Sequence, residues 1–231
     1  MKVALCLSGK AKSYKEGYEY HKRNLLDHHD VDVFIHTWED IEDDAFQFID
    51  YNYDPKKIVT TQCFNQDNLN KYSDIHPDWP ARNVVHMLYS VFRSNHEKKT
   101  YELEQGFTYD VVIRSRFDYA LNRTLPLESV ESGKVYVPKD MVKGHIEPNG
   151  IICNDQFGFG DSSTMDIYSN TFWMIDLANS LNCPMSGEDL LSANLQIHRV
   201  IGDKMVYIDM NYPFPPGKYN CTPHSLLRDD L

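Results

Sequence analysis

The 231-residue sequence has no apolar run long enough to cross a bilayer and no basic patch. A membrane span needs about 20 consecutive apolar residues. The first apolar stretch, residues 3–7, gives way to Ser8-Gly9-Lys10, which is also too soon for the core of a secretory signal. A formal charge of −11 excludes a broad surface for nucleic acid or anionic lipid, because both demand clustered Lys and Arg. Any phosphate site must therefore be local. Cysteine is sparse: Cys6, Cys63, Cys153, Cys183 and Cys221 are odd in number and scattered, which supports neither a disulfide framework nor zinc spacing and fits a reducing cytoplasm. Familiar catalytic signatures are missing as well, with no H-E-x-x-H, no G-x-S-x-G and no recognisable Cys-His pairing. Ser8-Gly9-Lys10-Ala11-Lys12-Ser13 is not a Walker loop, since Ala4 stands where the earlier glycine is needed and Ala11 where the hydroxyl is needed. Nor is it a dinucleotide fingerprint, because Gly9 is the only glycine between the first strand and the first helix.

What is present is an alternation of strand and helix patterns. Residues 2–7 read as a strand, 14–27 as a helix and 31–38 as a second strand, a βαβ opening whose Val33-Phe34-Ile35 run is too apolar for a solvated edge. Lys57 to Thr61 follows Asp54-Pro55 as a third strand, and the polar residues 66–80 read as a long surface loop. Val84, Leu88, Val91 and Phe92 recur at helical spacing in the proline-free stretch 81–105, which Gly106 stops. Residues 111–113, 134–138, 155–159 and 205–208 read as further strands. A helix beginning near Asp161 or Ser162, with Ser163 and Asp166 at capping-box spacing, and another over 187–200 complete the pattern. From Tyr212 the chain is proline-rich and irregular. The expected fold is α/β, a mainly parallel Rossmann-like sheet flanked by helices in one domain.

The stretch most informative about chemistry is Tyr109-Asp110-Val111-Val112-Ile113-Arg114-Ser115-Arg116-Phe117-Asp118. Ligands of open α/β sheets sit just past the C-terminal ends of the strands, which is where Arg114, Arg116 and Asp118 fall. Guanidinium forks match phosphate oxygens, and a carboxylate beside them can hold a divalent cation. The bland alternative is an Arg–Asp ion pair at a strand end. Ser8, Gly9, Lys10 and Lys12 occupy the first βα turn, where a nucleotide base or pyrophosphate can rest on the following helix N-terminus. His36 and Trp38 close the second strand, as a structural histidine and a core aromatic or as contacts to a nucleotide. In Asn154-Asp155-Gln156-Phe157-Gly158-Phe159-Gly160, the glycines permit close approach to the backbone, while Asn154 and Asp155 suit sugar hydroxyls. Ser186-Gly187-Glu188-Asp189 places paired acids in the first turn of a helix, where Asp189 at capping-box spacing has a purely structural reading.

Leu5-Cys6-Leu7-Ser8-Gly9, Asp32-Val33-Phe34-Ile35-His36-Thr37-Trp38, the Tyr109–Asp118 stretch and Asn154-Asp155-Gln156-Phe157-Gly158-Phe159-Gly160 together resemble a family of small glycosyltransferases of viruses and bacteria. The resemblance spans most of the chain, and R-x-R-x-D is its most specific element. It implies a minimal GT-A fold in which residues 1–118 bind a nucleotide sugar and residues 119–231 hold the acceptor, a glycan or other hydroxyl compound. It also implies that Asp189, with Glu188 beside it, supplies the general base. Where metal-dependent GT-A enzymes carry D-x-D, this chain has Arg116-Phe117-Asp118, so Mn²⁺ or Mg²⁺ would need Asp118 together with other ligands such as His224. Alternatively, Arg114 and Arg116 neutralise the diphosphate without metal. A nucleotide-sugar-binding module without catalysis and a nucleotidyltransferase-like enzyme are the competing readings. A methyltransferase is disfavoured by the lack of a glycine-rich first turn and of an acidic end to the second strand.

Overall fold

A computed structural model describes residues 1–65, 67, 69–72, 80–138, 153–200 and 204–208, with 207 and 208 described by their main chain alone. Seven strands form one sheet in the order β3-β2-β1-β4-β6-β5-β7, with β1 Val3–Ser8, β2 Val31–Trp38, β3 Lys57–Thr61, β4 Val111–Ser115, β5 Val135–Pro138, β6 Gly158–Gly160 and β7 Met205–Ile208. All pairings are parallel except those of β6, which runs against both β4 and β5. Six strands thus share one direction. β1 and β4 lie in the middle, every residue of each buried, because helices cover both faces.

Alternation along the strands sorts the core into two layers. Val3, Leu5, Leu7, Val33, Ile35, Val111 and Ile113 pack with Leu25, Ile49 and Tyr53, beneath α1 (Tyr14–His21, continued by a π-helical turn, Lys22–Leu26) and α2 (Asp43–Tyr53). Ala4, Cys6, Phe34 and Val112 face the other way, toward Val91 of α3 (Ala81–Gln105), Met165 and Tyr168 of α4 (Ser162–Ser169), and Leu191 and Leu195 of α6 (Gly187–Ile197). Between these last two helices, a 3₁₀ turn, Asn170–Met174, leads into the short α5, Ile175–Ser180. α3 ends where Gly106 takes the left-handed conformation, φ 68°, a position that suits a residue without Cβ.

Several elements depart from expectation. α2 was not expected, although Ala45, Ile49 and Tyr53 recur every fourth residue as its buried stripe and Asp43 and Asp44 suit a helix N-terminus. The first α-helix stops at His21, not residue 27. β6 begins at Gly158, later than 155, because Asn154 Oδ1 accepts from the backbone N–H groups of Gln156 and Phe157 and curls residues 154–157 into a turn. α4 is capped by Asp161, whose carboxylate accepts from Thr164 N at 2.8 Å, so Ser163 and Asp166 form no capping box. Asp166 instead turns inward to a buried lysine. The loop expected over 66–80 and the tail from residue 212 lie largely or wholly outside the described residues.

That lysine, Lys98 of α3, has no solvent exposure and donates to Asp166 Oδ1 at 2.9 Å, Glu102 Oε2 at 3.1 Å and Ser162 Oγ at 2.7 Å. Glu102 also accepts from Tyr109 N, so the cluster joins α3, α4 and the segment entering β4. Removing one member of a buried ion group leaves the others uncompensated, so Lys98→Ala should destabilise the fold by about 3–5 kcal/mol, read from urea midpoints. Burial pushes the Asp166 carboxyl up, but Lys98 and hydrogen bonds from Lys99 and Asn95 outweigh it and hold the group below its usual range. The stability it contributes is therefore present above the unfolded carboxyl value and lost as pH falls through the folded one. Asp166→Asn should flatten that part of the acid-unfolding curve.

Candidate functional site

The sheet order reverses direction at β1, which lies between β2 and β4, so the C-terminal ends of β1 and β4 flank a crevice. Leu7 pairs with Ser115, and Ser8 and Arg116 therefore leave the sheet side by side. On the β1 side, Gly9 turns the chain at φ 110°, a conformation that favours glycine; its N–H donates to His36 O and its carbonyl accepts from Thr37 Oγ1. Ser8 Oγ is buried and has no hydrogen-bond partner among the described residues. Lys12 is exposed, and Lys10 forms a solvent-exposed pair with Asp40 at 3.0 Å.

On the β4 side, Arg116 grips Asp118 in a bidentate fork: Nε donates to Oδ1 and Nη2 to Oδ2, both at 2.8 Å. Asp118 lies behind, its side chain 5% exposed, and Arg116 in front, 29% exposed. Arg114 points from β4 toward the α3, α4 and α6 layer, in register with Cys6 and Gly158, and is 1% exposed. None of its three guanidinium nitrogens has a hydrogen-bond partner among the described residues. A buried cation without hydrogen bonds is costly, and here its charge is answered at longer range by Asp155 and Asp118. Burial pushes the Asp155 carboxyl up, and Arg114 and Arg116 pull it partly back.

Glycines let these groups converge. A Cβ on Gly187 would stand 1.9 Å from Asp155 Oδ2, so the Asp155 carboxylate rests on the first residue of α6, a favourable end of the helix for an anion. A Cβ on Gly158 would meet the Tyr168 ring at 3.1 Å. The sequence pattern gave no sign of Tyr168, which looks like one more apolar position of α4. Asp189, by contrast, is engaged in capping: its N–H donates to Ser186 Oγ at 3.0 Å, and the Ser186 hydroxyl donates to its Oδ2. Asn154 is likewise occupied in the turn that it holds before β6, and its carbonyl accepts from Tyr168 OH at 3.3 Å.

His36 is buried with both ring nitrogens engaged, Nδ1 with Ser90 Oγ at 2.7 Å and Nε2 with Thr61 Oγ1 at 2.8 Å. Trp38, 3% exposed, packs against His86 and Tyr89. Both residues therefore hold α3 to the end of β2 in this structure. A counterpart on the opposite face is His21, buried between Tyr53 OH at 2.8 Å and Ser115 Oγ at 3.0 Å. Burial pushes His21 down to about 3, and burial with Arg93 pushes His36 down to about 4.

The divalent cation expected on Asp118 does not match the described side chains. Both Asp118 oxygens receive N–H donors from Arg116, and no group of three His, Cys, Asp or Glu among the described residues is placed to hold a metal. His224 lies outside the described residues.

The mostly parallel seven-stranded sheet flanked by helices has a GT-A-like fold. Solved structures similar to it include galactosyltransferase LgtC in complex with donor and acceptor sugar analogues, at TM-score 0.53 and 10% identity over 90% of this chain and 73% of that one. An active-site mutant of LgtC matches at TM-score 0.53 and 9% identity over 90% and 72% of the two chains. The chain belongs to the family described as domain of unknown function DUF7796, whose model matches residues 1–228. No curated protein matches it in sequence.

Two measurements check this geometry. A Cβ on Gly17 of α1 would stand 1.7 Å from the carbonyl oxygen of Phe117, between Arg116 and Asp118. Gly17→Ala should therefore cost about 1–3 kcal/mol in chemical denaturation, since backbone must move to admit the methyl group. The two buried histidines are neutral when folded and protonate on unfolding. Each should therefore remove stability as pH falls below about 6.5, by about 2 kcal/mol at pH 5 relative to neutral pH, with urea midpoints as the readout.

Proposed function

We propose that the protein is a glycosyltransferase that moves a sugar, a hexosyl unit, from a nucleotide-sugar donor to an acceptor hydroxyl. One observation supports this most: at the switch point of a GT-A-like sheet, the Ser8–Lys12 turn and Arg116 leave adjacent strand ends, and the Asp155 carboxylate rests on the start of α6, the helix that carries Glu188. In this reading residues 1–118 hold the donor, with its diphosphate over the first βα turn and Arg116, and residues 119–231 hold the acceptor. The LgtC structure with donor and acceptor sugar analogues suggests the hexosyl class. Four described cysteines carry free thiols, which suits the cytoplasmic setting expected from the sequence.

Glycosyl transfer needs a base as the acceptor oxygen attacks the anomeric carbon. The acceptor C–O bond forms, the bond to the diphosphate breaks with its electron pair on the phosphate oxygen, and the carboxylate takes the hydroxyl proton. Of the acidic pair, Asp189 carries the capping of α6 through Ser186, and we assign the base to Glu188, its neighbour in the same first turn. Asp155, half-buried on the α6 N-terminus, is placed to accept from donor sugar hydroxyls. No described helix is long and apolar enough to cross a membrane.

The test is a screen of nucleotide sugars with mono- and oligosaccharide acceptors, read as released nucleoside diphosphate. Glu188→Gln should slow release by about 10²–10⁴-fold, the usual contribution of a positioned base. Asp189→Asn should leave turnover close to that of the unsubstituted protein, because Asn suits helix N-termini. A large loss with Asp189→Asn and none with Glu188→Gln would move the base to Asp189. Donor binding without release from any pair would mark a nucleotide-sugar-binding module.

A further inference from the structure

We infer that Arg116, held on Asp118, is itself the cation that faces the diphosphate, so that a nucleoside diphosphate binds at this crevice without a divalent metal ion. The inference rests on the glycosyltransferase reading for the identity of the ligand and on the Arg116–Asp118 geometry for the absence of a metal requirement.

A guanidinium carries five N–H donors, and the fork on Asp118 uses one from Nε and one from Nη2. Three donors remain, two on Nη1 and one on Nη2. The Asp118 side chain is 5% exposed against 29% for Arg116, so a ligand entering from solvent has more access to the cation than to the acid. Asp118 thereby fixes the plane of Arg116 and leaves its outer edge for oxygen acceptors, an arrangement suited to phosphate. A hard cation on Asp118 would have to share both carboxylate oxygens with the Arg116 N–H groups and would stand against the guanidinium charge. Magnesium is commonly held by one or two carboxylates together with waters and phosphate oxygens; here the Asp118 carboxylate is held in the Arg116 fork and the Asp155 carboxylate rests on the backbone of Gly187.

Arg114, two residues earlier in β4, adds a second positive charge; it is buried, its nitrogens lack hydrogen-bond partners among the described residues, and Asp155 and Asp118 offset it only in part. Ser115 and Phe117, which alternate with the two arginines and Asp118, are clamped from α1 by the His21 hydrogen bond and the Gly17 contact. The guanidinium of Arg116 therefore projects from a rigid turn, as a site that replaces a metal ion with a side chain requires.

The test is calorimetric titration of the full chain, stripped of metal, with inorganic pyrophosphate, UDP and GDP, in EDTA and then in Mg²⁺ or Mn²⁺. The expected result is binding in EDTA, changed less than about threefold by metal, and weakened about tenfold to hundredfold by Arg116→Gln. Asp118→Asn, which keeps an acceptor for the fork, should shift affinity equally in both buffers. Binding seen only with metal, a loss confined to the metal buffer in Asp118→Asn, or EDTA binding indifferent to Arg116→Gln would each overturn the inference and leave the glycosyltransferase reading standing. Pyrophosphate binding in EDTA without a response to any nucleotide or nucleotide sugar would keep the anion site and remove that reading. No binding of any probe in either buffer would remove both.

Discussion

The constraint on which the rest depends is the burial of β1 and β4 on both faces. A parallel pair flanked by helices cannot show polar side chains along its length, so charge gathers where the strands end. Arg114 breaks that rule inside the sheet: it occupies an inward position of β4, paired with Cys6 on one side and Gly158 on the other. Its neighbours are arranged accordingly. The residue across from it in β6 is a glycine, the Tyr168 ring lies close over that glycine, and Asp155 approaches from the turn that leads into β6.

Much of the polar structure near the site serves to fix helices to strand ends. His36 joins β2 to Ser90 of α3 and Thr61 of β3; His21 joins α1 to Tyr53 of α2 and Ser115 of β4. Lys98, with Glu102 and Asp166, does the same between α3 and α4. These buried groups are each fully or nearly fully partnered, as low-dielectric surroundings demand. Arg114 stands apart from them, and it lies where the strands open onto the crevice.

Glycine sets how closely the pieces approach. At Gly17 the backbone of α1 touches the carbonyl of Phe117, and at Gly187 the start of α6 touches the Asp155 carboxylate. In both places a single methyl group would collide with atoms that carry or support the charged cluster. The chain can thus place Arg116, Asp118 and Asp155 within one electrostatic neighbourhood, although they come from segments nearly forty positions apart.

The sequence by itself determined the layered fold wherever periodicity was strong. Val31–Trp38, Lys57–Thr61, Ala81–Gln105 and Met205–Ile208 form over the residues their patterns mark, because long apolar runs and clear stops leave few alternatives. It also placed Arg116 and Asp118 past a strand end, whereas Arg114, expected there with them, lies inside β4. α2 went unread because its stripe is short and interrupted by polar residues, Asp43, Asp44, Gln47 and Asp50. Only the tertiary structure decided what the polar residues do there. Pattern cannot tell a histidine that meets a ligand from one held between Ser90 and Thr61, a catalytic Asp189 from one hydrogen-bonded to Ser186, or a metal-ligating Asp118 from one gripped by Arg116. Those choices depend on partners brought together by strand register and helix packing, over distances that local spacing does not encode.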